Sequence, residues 1–125
     1  MSKEINSFED LIVYQRSFAA AITIHKLSLT LPRIEQFALA DQLRRASRSV
    51  CANIAEGFAK KVLSVPEFRR FLGMAFGSSE EMRVWLNFAL QLGYFDQQQT
   101  TELIDEYNQI AKMLFTLIRK WQTKS

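Results

Sequence analysis

Apolar residues along this chain recur at alternating steps of three and four, the period of an amphipathic helix rather than of a half-buried strand. Phe8, Leu11, Gln15, Phe18, Ile22, His25 and Leu29 form one such stripe and predict a first helix over about residues 8–29, with Ser7 and Asp10 spaced as a capping box and Pro32 closing it. A second helix, about 36–61, carries Leu43, Ala46, Val50, Asn53 and Gly57 on its seam, with Ile54 and Phe58 beside them. Ser64, Pro66 and Glu67 open a third, about 65–92, because Ser-x-x-Glu caps a helix and Pro is tolerated in the first turn. Its seam is Phe68, Leu72, Ala75, Ser79, Met82, Leu86 and Ala89, and Gly93 fits as its C-cap. Asp96 and Gln99 start the fourth, about 97–122, with Leu103, Tyr107, Ile110, Leu114, Leu117 and Trp121 inward.

Short connections make consecutive helices antiparallel neighbours, and the 3,4 spacing favours crossings near about +20°. The fold class that follows is all-α: an up-down-up-down four-helix bundle, one domain spanning residues 1–125. Composition agrees with it. Only 4 Gly and 2 Pro occur in 125 residues, too few turn formers for a many-stranded β fold, and 48% apolar with 23% charged suits a packed globule. No long uncharged apolar run and no signal-peptide pattern occur, so a cytoplasmic address and no membrane partner are expected.

The sides away from the seams carry more information. Ala52, Ala55 and Ala59 point away from the stripe of the second helix, where Lys, Glu or Gln would be usual. On the third, Gly73 and Gly77 lie one turn apart on the back face, Val84 and Phe88 continue it, and Met74, Trp85 and Leu92 widen the apolar arc. Mid-helix glycine costs about 1 kcal/mol relative to Ala, and exposed aromatics invite association. A homo-oligomer interface through Ala52, Ala55, Ala59, Gly73, Gly77, Trp85 and Phe88 is therefore expected.

Candidate chemistry is sparse. His25 is the single histidine and falls on the first seam, where a core-edge structural role outweighs catalysis without an orienting partner. Cys51, the single cysteine, reads as a structural thiol: Arg48 nearby would lower its pKa, but burial raises it. No Glu-x-x-His pair or phosphate-loop pattern is present, so no catalytic residue, metal site or cofactor is assigned. Charge is more telling. Between Arg44 and Arg70 stand seven basic residues (Arg44, Arg45, Arg48, Lys60, Lys61, Arg69, Arg70) against two acidic ones, a local +5 within a total of +3. Such a patch, repeated in an oligomer, would attract the backbone of RNA or DNA; the alternative is a solvated face, or one that meets an acidic protein.

The run Gln42-Leu43-Arg44-Arg45-Ala46-Ser47-Arg48-Ser49-Val50-Cys51-Ala52-Asn53-Ile54-Ala55-Glu56-Gly57-Phe58 resembles the signature of the four-helix-bundle family named for proteins encoded in intervening sequences of bacterial 23S rRNA genes. Phe68-Arg69-Arg70-Phe71-Leu72, then Ala75-Phe76-Gly77-Ser78-Ser79-Glu80-Glu81 and Leu92-Gly93-Tyr94, resembles its second signature, and Phe8-Glu9-Asp10-Leu11 with Tyr14-Gln15 also fits. Cys51 stands where the family often has proline, and Val62-Leu63 replaces a more polar turn. The resemblance implies a small bacterial non-enzymatic bundle, assembling as a pentamer, and it is related to accessory determinants of diversity-generating retroelements that bind nucleic acid and a reverse transcriptase. Self, RNA or DNA, and a nucleic-acid enzyme are thus the implied partners. Asn53, Glu56, Gly57, Gly77 and Ser78 then read as structural: Asn53 setting register, Glu56 pairing at the helix edge, Gly57 permitting close approach.

Overall fold

The computed structural model describes residues 4–122. Four α-helices, with no strand among those residues, run α1 Ile12–Ser28, α2 Leu39–Lys61, α3 Val65–Gln91 and α4 Gln97–Lys120. Short 3₁₀ turns at Phe8–Asp10 and Arg33–Glu35 precede α1 and α2. α2 packs most extensively on α3, α3 on α4 and α1 on α2, and a thinner contact between α1 and α4 closes the ring of four.

The expected punctuation is present, with one shift. Ser64 Oγ accepts from the Glu67 amide at 3.2 Å and Asp96 Oδ1 from the Gln99 amide at 2.7 Å, capping α3 and α4. Gly93 takes φ +78°, so the Tyr94 amide reaches the Ala89 carbonyl at 2.9 Å and the Gly93 amide reaches Leu90 at 3.0 Å, ending α3 with its last carbonyls satisfied. At the first helix, Asp10 Oδ2 does accept from the Ser7 amide at 3.1 Å, but it closes the separate turn; α1 proper starts at Ile12.

Each interior seam follows the sequence pattern except that of α1. All seven predicted inward residues of α3 are buried, and Phe71 joins them. On α1 the buried residues are Val13, Ser17, Ala20, Ile24 and Ser28, whereas Phe18 is 50% and Ile22 43% exposed, and Leu29 and His25 are exposed too. Val13, Ser17, Ala20 and Ile24 each fall two positions after the expected Leu11, Gln15, Phe18 and Ile22, so at about 100° per residue the helix buries nearly the opposite face. Its inner side is narrow: Ser17 Oγ donates to the Val13 carbonyl at 2.7 Å and Ser28 Oγ to His25 at 2.6 Å, so both hydroxyls enter the core already satisfied. Small polar residues that bond their own helix can thus occupy a buried seam while larger apolar ones stay outside.

The core centres on Ile24, Leu43, Val50, Ile54, Leu72, Met82, Leu86, Tyr107, Ile110 and Leu114. Each large aliphatic member contributes about 1.5–3 kcal/mol of transfer free energy. α2 and α3 approach closely at Gly57, where a Cβ would lie 3.1 Å from Phe71 Cβ and 3.3 Å from the Phe68 carbonyl oxygen. A hydroxyl relay crosses the same pair of helices: Asn53 Nδ2 donates to Ser49 Oγ at 3.0 Å, and Ser78 Oγ donates to it at 2.9 Å. Asn53 therefore bonds its own helix, and Ser78 makes the link between helices.

Candidate nucleic-acid interface

The seven basic residues singled out in sequence fall into two groups. Arg44, Arg45 and Arg48 occupy the first half of α2, while Lys60 and Lys61 end that helix about 18 Å further along, at 1.5 Å per residue. Arg44 is bound within its own chain. Its guanidinium donates to Ser28 Oγ at 2.9 Å and to the Gln36 carbonyl at 2.7 Å, fastening the α1–α2 connection. Arg45 is exposed and 3.9 Å from Asp41; Arg48 is exposed, with Nη2 3.2 Å from His25 Nδ1.

The second group sits where α2 turns into α3, and the end of α4 adds to it. Arg69 Nε donates to the Ile118 carbonyl at 3.1 Å, satisfying one of the last orphan acceptors of α4. Lys61 Nζ lies 4.2 Å from the centre of the Trp121 ring, whose edge meets Phe68 at 5.7 Å. These contacts set the end of α4, with exposed Arg119 and Lys120, at the same end of the bundle as Lys60, Lys61 and Arg70, so three helices supply cations to that end. Sequence reading missed Arg119 and Lys120, which lie about fifty residues downstream; the signal available was two basic residues in the last turn of α4.

Two acids temper this end. Arg70 Nε donates to Glu67 Oε2 at 2.8 Å, and that bond, helped by the charge of Lys60, holds the Glu67 carboxyl below its usual range. The same bond raises Arg70, with the exposed Glu56 adding to it. Between the cations, the turn itself is apolar: Val62 is 87% and Leu63 79% exposed.

Most of the residues expected on the outward faces are exposed. Nothing lies within 4 Å of where a Cβ would stand on Gly73 or Gly77, and Ala52, Ala59, Val84 and Phe88 are exposed. Ala55 and Trp85 are half-buried, and Trp85 Nε1 donates to Glu81 at 2.9 Å. Ala52 and Ala55, expected to point away from the bundle, instead border α1: with Phe8, Tyr14, Phe18, Ile22, His25, Arg48 and Cys51 they line a groove of about 510 Å³ between α1 and α2. His25 is thus a groove-wall residue, not the core-edge one expected from the α1 stripe. Burial pushes the Cys51 thiol up to about 11, so it is protonated at neutral pH and a poor nucleophile. A second, largely apolar cleft of about 630 Å³ opens between the start of α1 and the end of α4, with Lys112 and Asp10 among its lining. Asp10 there accepts the Asn6 amide at 2.8 Å. Among the described residues, no group of three His, Cys, Asp or Glu side chains could hold a metal ion, and no helix is long and apolar enough to cross a membrane.

A ring of four antiparallel helices with a cationic end and greasy outer faces defines the class: a small all-α bundle protein. The chain belongs to the 23S rRNA-intervening sequence protein family, whose family model matches residues 9–116. It is also similar to a solved protein of unknown function from the S23 ribosomal protein family of Bacteroides thetaiotaomicron VPI-5482. The two share 25% identity and a TM-score of 0.78 over 86% of this chain and 96% of the other. No curated protein matches the chain.

Proposed function

We propose that this protein is a non-catalytic, self-associating bundle that holds the phosphate backbone of RNA or DNA against its cationic end. The observation that supports the reading is that Lys60, Lys61, Arg70, Arg119 and Lys120, from three helices, all lie at one end of the bundle. Arginine forks and lysine point charges suit phosphate oxygens, and contacts of this kind fix a polyanion without reading its sequence. Self-association multiplies the surface. The exposed Gly73, Gly77, Val84 and Phe88 face supports it, and the family resemblance implies five copies. Arg45 and Arg48 extend the contact along α2; Arg44 and Arg69 act from within, bracing the loop and the α4 terminus.

The test is retention of RNA and single-stranded DNA at about 50 mM salt, with affinity falling steeply as salt rises. Lys60→Glu with Lys120→Glu should lower affinity more than Arg45→Glu alone and reduce the salt slope by about one per lost phosphate contact. Unretarded nucleic acid at micromolar protein would overturn the reading. A second reading, an accessory subunit that docks on a nucleic-acid enzyme without touching the nucleic acid, is favoured by the opposite end of the bundle. There Phe37 is 96% exposed beside Ile34 and Arg33. Capture of a partner after nuclease treatment separates the two.

A further inference from the structure

The turn between α2 and α3 presents two aliphatic side chains to solvent in the middle of the cationic end, and nothing in the fold uses them. Val62 and Leu63 are 87% and 79% exposed, while the residues next to them are held firmly. The Leu63 and Ser64 amides both donate to the Lys60 carbonyl, at 2.9 and 2.8 Å, and Ser64 caps α3. The backbone of the tip is therefore held in place, so little backbone ordering opposes its insertion into a partner.

We propose that Val62 and Leu63 form a wedge that enters an interrupted base stack, making duplexes with a bulge or mismatch the preferred ligand class of the cationic end. The inference rests on the phosphate-binding reading above. Aliphatic side chains neither hydrogen-bond a base edge nor offer a ring for stacking, which argues against sequence readout and against single-strand platforms. What they can do is fill a gap between base pairs, the role apolar wedges play beside cations in minor-groove proteins. Opening an intact stack opposes such insertion, and a stack already broken opposes it least. The cations around the tip are held by their neighbours, Lys61 on Trp121 and Arg70 on Glu67. The tip is only two side chains deep, short of the roughly 5–10 Å immersion of interfacial membrane segments.

The experiment compares a short DNA duplex carrying a two-nucleotide bulge with the same duplex fully paired, at about 50 mM salt, by fluorescence anisotropy. The wild-type chain should bind the bulged duplex about tenfold tighter, the order of one buried aliphatic side chain. Val62→Ser/Leu63→Ser, at exposed positions that folding does not need, should erase that preference and leave affinity for the paired duplex within about twofold. Equal binding of both duplexes by wild type, or an unchanged preference in the variant, overturns the wedge while leaving phosphate binding intact. No binding to either duplex overturns the wedge, and with no retention of RNA or single-stranded DNA it overturns phosphate binding as well. Flotation with phosphatidylserine vesicles that is lost in the double variant, without duplex discrimination, assigns the tip to a lipid surface and overturns the wedge as well.

Discussion

α3 and α1 are both rich in apolar residues, yet they distribute them in opposite ways. α3 buries Phe68, Leu72, Met82 and Leu86 and turns Gly73 and Gly77 outward; α1 buries Ser17, Ala20 and Ser28 and turns Phe18 and Ile22 outward. α3 is anchored mostly by bulk, whereas α1 sets Val13 and Ile24 among small residues. Side-chain size on the inner face sets how near a helix can lie to its neighbours, whereas apolarity on the outer face marks surface left for something else.

Mutations should separate the two designs. Leu86→Ala removes a fully buried side chain and should lower stability by about 2–5 kcal/mol in chemical denaturation, while Phe18→Ala should stay within about 0.5 kcal/mol. A comparable loss from Phe18→Ala would mean that α1 is anchored by its outer stripe after all. Cys51, at the floor of the α1–α2 groove, should react with iodoacetamide at pH 8 about a hundredfold more slowly than an ordinary thiol near 9, the ratio two pKa units imply. The sign for stability follows from linkage. The folded thiol ionises later than the unfolded one, so its contribution is complete below about pH 9 and is lost on rising towards about 11. Cys51→Ala should flatten that alkaline decline, and an unchanged pH profile would refute it. Gly57→Ala pushes a methyl to 3.1 Å from Phe71 Cβ and should destabilise by about 1–3 kcal/mol. Gly73→Ala, which meets open space, should instead stabilise the isolated chain by about 0.5–1 kcal/mol. Gly77→Leu tests the proposed self-association: its side chain meets open space, so the fold should survive, and light scattering should report a smaller species than wild type.

Sequence pattern located the α3 and α4 seams because each has a single stripe of large apolar residues, and its caps were visible as Ser64, Asp96 and Gly93. It misjudged α1 because size-weighted apolarity selects Phe18 and Ile22 over Ser17 and Ala20, and nothing local reveals that serine hydroxyls bond back to their own helix. The cationic site was half legible. Lys60, Lys61 and Arg70 are close in sequence, but Arg119 and Lys120 join them only because helical lengths bring the end of α4 to the same level. Arg44 read as a free cation since its acceptors, Ser28 and the Gln36 carbonyl, belong to a different element and to the backbone.

The three residues that join α2 to α3, against the ten that separate α1 from α2, bear on the order of assembly. Loop closure is cheapest for the shortest connection, so the α2–α3 hairpin, with its long shared contact, is the natural nucleus. During synthesis it can zip together before α4 has emerged, leaving an open trough that Tyr107, Ile110 and Leu114 later fill. Amide protection should therefore rise first in α2 and α3, and a nascent chain halted before α4 should depend on chaperones.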